Sequence, residues 1–310
     1  MSIFTLFYAL TGLVQNKDSL GDKNNRYDTM ADQDWTTLTL DELRQEIDKI
    51  DEEIHNLLLR RTEVVTVLGE AKRRSEDENT PLSNRMRPGR EAIVLRQLIK
   101  RHNGDIPYDS ITGIWRSIVS TFLRLQFPFE VSVYDAADAV YYRDLARVHF
   151  GAGTPLHAGG NTAMILGKVA TQDLSVGLLP APGIDADSRW WLDLPDDGQI
   201  QVVMRLPFLC RNEAEAEERP AFIIAKTDRE DSGDDASWIR ITGLDVDSIH
   251  SILDQTGFHY AILSQAEHTL LLEVDGYLTD NHFIVSLLKE KAKGKVSIIG
   301  GYARQIIVKE

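Results

Sequence analysis

Apolar residues recur at steps of three and four between residues 39 and 75. That spacing places them on one side of an α-helix, so the pattern predicts one long helix. A capping box of Thr39 and Glu42 marks its start. Two shorter helices are predicted at 88–102 and 107–126. The apolar face of the long helix consists of Leu43, Ile47, Ile50, Ile54, Leu57, Val65 and Leu68.

The predicted long helix exceeds what a small helical domain can bury. At a rise of about 1.5 Å per residue it spans roughly 55 Å. The two shorter helices cannot cover its whole apolar face, so we expect a second copy of the chain to do so, in an intertwined helical dimer. The alternative is that the C-terminal half of the same chain covers this face.

The periodicity changes after Pro128, where short apolar runs typical of strands begin. The runs are FEVSVYD, LSVGLLP, QVVMRLPF and AFIIA, with helices predicted near 138–150 and 161–171. The acidic stretch DREDSGDDAS is interpreted as a flexible linker. Residues 237–310 then alternate as strand, helix, strand, strand, helix, strand, which is the order of a ferredoxin-like unit.

These patterns predict a multidomain chain in which an all-α part precedes α/β and α+β parts. The expected boundaries are a disordered N-terminal extension at 1–37, a three-helix domain at 38–127, an α/β region at 128–227 and a βαββαβ domain at 237–310. Met30 is an alternative natural start.

Charge and composition exclude several classes of protein. The net charge of −14 over 310 residues argues against a nucleic-acid-binding protein. Residues 38–127 are neutral, with 15 basic and 15 acidic side chains, so an anionic small molecule could still bind there. A single cysteine, Cys210, fits a reducing compartment, and no apolar run is long enough for a membrane span. We therefore expect a cytoplasmic protein that does not bind membranes.

Two cations interrupt the apolar face of the long helix. Arg61 and Lys72 are 11 residues apart, which is three turns, so they project from one side roughly 16 Å apart. Arg44 points about 100° to the side and could serve a partner's site in an antiparallel pair. The simpler interpretation is that Arg61 extends to solvent and Arg44 pairs with Asp48. Unpaired cations in an apolar face are costly, which favours an anionic ligand.

The stretches LDELRQEIDKIDEEIHNLLLRRTEVVTVLGEAK, RPGREAIVLRQLIKR and IWRSIVSTFLRLQ resemble the all-helical chorismate mutases. The resemblance covers about residues 38–127 and implies an intertwined dimer of three-helix protomers. It implies that Arg44 reaches the partner's site and that Arg61 and Arg90 bind the substrate carboxylates. Lys72 and Gln126 would contact the ether oxygen of chorismate, and Glu91 would accept a hydrogen bond from the ring hydroxyl.

The activity implied by the resemblance is the rearrangement of chorismate to prephenate. This pericyclic reaction needs no nucleophile, and we expect no cofactor and no metal. Two positions depart from the family pattern: Arg87 stands where an acid often precedes the Pro-x-Arg-Glu turn, and Phe122 where a small polar residue is common.

The C-terminal half resembles a degenerate prephenate dehydratase followed by an ACT regulatory domain. KVATQDLSVGLLPAP and RPAFIIAK are similar to dehydratase stretches, but Pro220, Ala221 and Phe222 replace the Thr-Arg-Phe motif and its hydroxyl. The segment LLLEVDGYLTDNHFIVSLLKEKAKGKVSIIGGYA resembles an ACT domain. Its expected effector-contact stretch reads LSQAE, from Leu263 to Glu267. An aromatic amino acid effector and a purely structural role both remain open.

The leading hypothesis is a chorismate mutase whose C-terminal half regulates or supports it. The first alternative is a bifunctional mutase and dehydratase, which would form phenylpyruvate. The second is a non-catalytic binding protein that has kept the mutase fold. Loss of a cation from the predicted pocket would favour that reading, and Arg44, Arg61, Lys72 and Arg90 are all present.

Overall fold

The computed structural model describes residues 34–75, 86–183 and 186–308. The chain divides into two compact units, Met1–Arg61 and Thr62–Glu310. Most of the predicted N-terminal extension, residues 1–33, lies outside the described residues. Its last part includes a short 3-10 turn, Trp35–Thr37, which the sequence pattern did not predict.

The first unit contains the start of helix α1, Leu40–Ser75. The predicted capping box is present. The Thr39 backbone N–H donates to Glu42 Oε2 at 2.8 Å, and the Glu42 N–H donates to Thr39 Oγ1 at 3.3 Å. Six apolar side chains of this part of α1 are 38–73% exposed: Leu40, Ile47, Ile50, Ile54, Leu57 and Leu59.

The helices of the second unit, apart from the short α6, begin and end close to the predicted positions. They are α2 Pro88–Arg101, α3 Tyr108–Gln126, α4 Ala139–Phe150, α5 Thr162–Thr171, α6 Glu213–Glu218, α7 Val246–Leu253 and α8 Phe283–Lys291. Local sequence explains several ends. Pro88 occupies the first turn of α2, where its missing N–H costs nothing. The side chain of Asn161 caps α5, and that of Asp245 caps α7.

In the described part of the chain, nine strands form one sheet in the order β2-β1-β3-β6-β4-β10-β7-β9-β8. The strands are β1 Glu130–Val133, β2 Leu156–Ala158, β3 Ser175–Pro180, β4 Gln201–Leu206, β6 Ala221–Ala225, β7 Asp235–Thr242, β8 Tyr260–Ala266, β9 Thr269–Asp275 and β10 Val296–Ala303. Strands β5 Leu209–Cys210 and β11 Ile306–Ile307 form a separate parallel pair. The order β10-β7-β9-β8, antiparallel throughout, is that of the predicted ferredoxin-like unit.

The two predicted C-terminal regions share this sheet. Strand β10 pairs in parallel with β4 through Gly300 and Val202. A Cβ at Gly300 would lie 2.5 Å from the Val202 side chain, so only glycine permits the junction. The sequence pattern treated the two regions separately because nothing in local periodicity reports pairing between distant strands.

The described residues form three apolar cores against this sheet. The first lies between the sheet and helices α2 to α4 and includes Leu95, Phe129 and Phe150. The second contains three tryptophans, Trp190, Trp191 and Trp238. The third joins β7 and β9 to helices α7 and α8. Every helix in the described part of the chain is too short or too polar to cross a lipid bilayer.

The stretch DREDSGDDAS, interpreted from its acidity as a flexible linker, is instead held in place. Ser232 is buried, and its N–H and hydroxyl donate to the Asp235 carboxylate at 2.8 and 2.7 Å. Arg229 donates to the carbonyl of Leu278 at 2.8 Å. The linker prediction was wrong because hydrogen bonds within the stretch and to the distant Leu278 satisfy these polar groups. The pattern also missed β2, α6 and a 3-10 helix at Ala186–Leu192.

Candidate active site

Two of the predicted site residues lie in the first unit. Arg44 is exposed and forms an ion pair with Asp41 at 3.1 Å, whereas the simpler sequence interpretation paired it with Asp48. Arg61 is exposed on α1, and partial burial of its guanidinium lowers its pKa from the usual value. Arg61 keeps the positive charge that the prediction requires, because the usual arginine pKa lies far above neutral pH and this lowering is small beside that margin.

Lys72 and Gln126 lie on neighbouring surfaces of the second unit. Gly69 of α1 is buried, and a Cβ there would lie 3.4 Å from Gln126 Cγ, so the last residue of α3 packs directly on this turn of α1. Lys72 follows Gly69 by three residues and therefore shares its face of the helix. Gln126 Nε2 also donates to the Phe122 carbonyl at 3.3 Å. The packing brings an ammonium and an amide to one region.

Arg90 and Glu91 occupy the first turn of α2. Arg90 is exposed, and among the described residues its side chain makes no ion pair. Glu91 is turned inward, with 14% of its side chain exposed, and Arg116 of α3 donates to its Oε2 at 2.8 Å. Burial raises the pKa of Glu91, and the nearby Arg116 charge opposes that rise. The two adjacent residues thus face solvent and interior respectively.

Arg116 is a site neighbour that the sequence did not reveal. It is 6% exposed, and its guanidinium lies 5.1 Å from the centre of the Phe208 ring. Thr112, Arg116 and Ser120 form a polar stripe at four-residue spacing on α3, a pattern typical of a solvent face, yet all three are buried. The only available signal was an arginine among apolar residues in IWRSIV.

The N-terminus of α2 is held by a segment from the α/β part. Glu230 Oε1 accepts a hydrogen bond from Arg87 Nε at 2.6 Å, and Glu230 Oε2 accepts one from the Arg90 N–H at 3.3 Å. Arg87, a departure from the family pattern, therefore forms an ion pair. The other departure, Phe122, is 6% exposed and belongs to the buried side of α3.

A cavity of about 510 Å³ is lined by residues of both stretches whose sequences resemble dehydratase, LSVGLLPAP and RPAFIIAK. Pro220 and Phe222 line it, so the hydroxyl expected at position 220 is absent from its wall. Three carboxylates and two guanidinium groups also line it, from Glu217, Glu218, Glu273, Arg205 and Arg219. Arg205 is already paired with Glu217 at 2.6 Å. This balance of charge does not favour a dianion.

The stretch Leu263–Glu267 lies at the edge of the sheet. It occupies the end of β8 and the turn to β9, where Glu267 has a positive φ of 51°. Ser264 Oγ donates to the Gly183 carbonyl at 3.1 Å, which ties this strand to the loop that also lines the cavity.

Comparison with known proteins agrees with the helical geometry. Residues 43–127 match the family described as chorismate mutase type II. The chain is 26% identical over 168 residues to the bifunctional chorismate mutase/prephenate dehydratase of Aquifex aeolicus (strain VF5), covering 53% of this chain and 44% of that protein. It is 28% identical over 155 residues to the protein of the same description from Pseudomonas aeruginosa, covering 49% and 40%. The chain spans less than half the length of these relatives.

Among solved structures, the prephenate dehydratase of Staphylococcus aureus aligns with 56% of this chain and all of that chain. The sequence identity is 12% and the TM-score 0.39, which is too low to establish a shared fold. The match to the helical family has firmer support, because it covers all three helices and every predicted site residue. Residues 43–127 are a chorismate mutase type II domain.

Proposed function

We propose that this chain catalyses the rearrangement of chorismate to prephenate, a step of aromatic amino acid biosynthesis. The family match over residues 43–127 carries the proposal, since this segment contains all six residues to which the resemblance assigns a role at the site. The proposed substrate-binding residues are Arg44, Arg61 and Glu91, and the proposed catalytic residues are Lys72, Arg90 and Gln126.

The rearrangement needs hydrogen-bond donors at the ether oxygen and does not need a nucleophile. As the ether bond of chorismate breaks, negative charge builds on its oxygen, and donors already directed at that atom favour the transition state over the ground state. The contact between Gly69 and Gln126 supports this role for Lys72 and Gln126, because it places both donors beside one turn of α1. Arginines that clamp both carboxylates would hold the enolpyruvyl arm over the ring and lower the entropic barrier.

The inward position of Glu91 refines its proposed role. A carboxylate that Arg116 already binds is held in one orientation, so it can accept a hydrogen bond from a ring hydroxyl at low entropic cost. Gln126 is uncharged, so we expect activity to be nearly flat around neutral pH. A steep rise on acidification would argue against its role as the donor.

The exposed apolar residues of α1 support the intertwined dimer. Burying a Leu or Ile side chain fully stabilises a protein by about 1.5–3 kcal/mol. Six such side chains in the first unit are at least partly exposed, so covering them would release several kcal/mol of burial free energy. A second copy of α1 offers a matching apolar face and would bring Arg44 to the partner's site. A self-complementary interface of this kind is the usual basis of a two-fold dimer.

The bifunctional alternative is supported by the descriptions of both curated relatives. Pro220 in place of a hydroxyl and the acidic lining of the 510 Å³ cavity argue against the elimination. We therefore propose a regulatory or structural role for the α/β part, with an aromatic amino acid as the candidate effector. The ACT assignment and a cytoplasmic location remain predictions.

The decisive assay uses the purified full chain with chorismate. We expect absorbance of chorismate to fall and prephenate to accumulate, without phenylpyruvate. Appearance of phenylpyruvate would favour the bifunctional alternative, and tight chorismate binding without turnover would favour the non-catalytic one. Repeating the assay with phenylalanine or tyrosine tests regulation: a changed rate identifies an effector, and an unchanged rate favours the structural role.

A further inference from the structure

The connection between strands β6 and β7 packs against the first turn of helix α2, which carries Arg90 and Glu91. Glu230, in this connection, accepts hydrogen bonds from Arg87 Nε and from the Arg90 N–H. The backbones also touch, because a Cβ at Gly89 would lie only 2.7 Å from the Glu230 carbonyl oxygen. The glycine at position 89 is therefore required for the contact.

A second set of contacts fastens α2 to the same connection two turns later. Arg96 Nη1 donates to the Ser232 carbonyl at 3.1 Å and to its hydroxyl at 2.9 Å. Arg96 Nη2 donates to the carbonyls of Asp234 at 2.7 Å and Arg304 at 2.8 Å. Four hydrogen bonds from one guanidinium leave it little freedom. The rotation and axial position of α2 are thus set by the α/β part.

Glu230 acts on α2 in the way a capping residue acts on its own helix. The first N–H groups of a helix lack partners within the helix and carry partial positive charge, so a carboxylate there is stabilising. The residue at the N-cap position, Arg87, makes no side-chain cap, and Glu230 accepts from the Arg90 N–H instead. The side chain of Glu230 is 26% exposed, which limits solvent screening of the contact.

We propose that Glu230 is a positioning residue of the chorismate mutase site. It holds the first turn of α2 so that Arg90 faces the substrate while Glu91 turns inward to Arg116. The proposal rests on the mutase function proposed above. It also identifies a route for regulation, because β7, the first strand of the ferredoxin-like unit, begins directly after the connection at Asp235.

Two variants test the contact from opposite sides. Glu230→Ala removes both acceptors, and Gly89→Ala pushes the connection away while leaving Glu230 intact. We expect each to lower kcat/KM for chorismate about tenfold, mainly through a higher KM, because a displaced Arg90 binds the carboxylate less well. Glu230→Gln keeps one acceptor oxygen, so its kcat/KM should fall less than that of Glu230→Ala. Asp280→Ala, which breaks a surface ion pair with Lys289, is the control and should leave kcat/KM unchanged.

Thermal unfolding of every variant separates positioning from folding. A positioning role predicts that Tm of Glu230→Ala stays within about 3 °C of the unchanged chain while KM rises. Values of kcat/KM within twofold of the unchanged chain for both Glu230→Ala and Gly89→Ala would overturn the inference, as would a loss of activity that only follows the unfolded fraction. If the unchanged chain does not convert chorismate, the proposed function itself fails and this inference falls with it.

Discussion

The first half of helix α1 and the sheet of the second unit carry the same kinds of apolar side chain in opposite environments. Ile47 and Ile54 in α1 are 58% and 51% exposed, whereas Ile239 and Ile241 in β7 are fully buried. The sheet completes its core with helices of the same unit. Among the described residues of the first unit, 34–61, nothing covers the start of α1 in this way. Periodicity therefore identifies an apolar face equally well in both places, but it does not identify what covers that face.

The ion pairs of the two units also differ in burial. In the first unit, Arg44 is exposed and, within the described part of the chain, its ion pair is with its helical neighbour Asp41. In the second unit, Arg116 is buried and paired with Glu91 across two helices. An exposed pair contributes little to stability, whereas removal of one partner from a buried pair is costly. The Arg44 pair therefore contributes little to stability, whereas the pair of Arg116 and Glu91 fixes the geometry of two helices.

A charged substitution in the apolar face of α1 should have the largest effect on mutase activity. Ile54→Asp places a charge in the proposed dimer interface, so we expect a monomer by light scattering and a loss of mutase activity of about 1,000-fold, since several site groups are lost together. Val140→Asp is a matched control, because Val140 is an exposed apolar residue of a different helix, 73% exposed on α4. An Ile54→Asp chain that stays dimeric and active would contradict the proposed interface.

Removing Arg116 tests the buried pair. Arg116→Met leaves the Glu91 carboxylate without its partner, and we expect the free energy of unfolding in urea to fall by about 3 to 4 kcal/mol. Adding Glu91→Gln should recover part of that loss, because an amide is cheaper to bury than an unpaired charge. A double variant no more stable than Arg116→Met would show that packing against Phe208, not charge pairing, provides the stability.

Removing a proposed donor tests the catalytic roles. Lys72→Ala and Gln126→Ala should each cost about 3 kcal/mol or more in kcat/KM, by analogy with loss of an oxyanion donor. Arg73→Ala serves as the control, because it removes a neighbouring exposed cation from the same turn. Full activity in either donor variant would refute that residue's assignment.

The smallest expected effect concerns pH. His149 is buried beside Arg116, and burial together with that charge holds its pKa well below 6.5. Below pH 6.5 the His149 imidazole is protonated in the unfolded chain but stays neutral in the folded chain. The free energy of unfolding therefore falls as pH falls. The contribution is about 1 kcal/mol between pH 6.5 and 5.5.

Urea unfolding of the unchanged chain and of His149→Phe at several pH values measures this contribution. The difference in unfolding free energy between them should change with pH only below about 6.5, in the direction that favours the variant. Parallel pH profiles would show that His149 titrates in the folded chain as it does in the unfolded one.

Much of the fold could be predicted because it depends on local signals. Such signals act between neighbouring residues. Examples are the capping box of Thr39 and Glu42, the proline at the start of α2 and the alternation in β7 to β10. The failures share a cause. Arg116, Ser232 and the short strand β2 have partners far away in the chain, which are Glu91, Arg96 and β1, so local sequence made them look like surface or loop.

The sequence by itself determined the helical and strand periods, the neutral charge of residues 38–127 and the ordered set of cations and amide at Arg44, Arg61, Lys72, Arg90 and Gln126. Local propensity and side-chain chemistry act over a few residues, so the chain order is enough to reveal them. Only the tertiary structure decided that Glu91 turns inward to Arg116, that Glu230 caps α2 and that β10 joins β4. These contacts join residues far apart in the chain, and packing alone selects them.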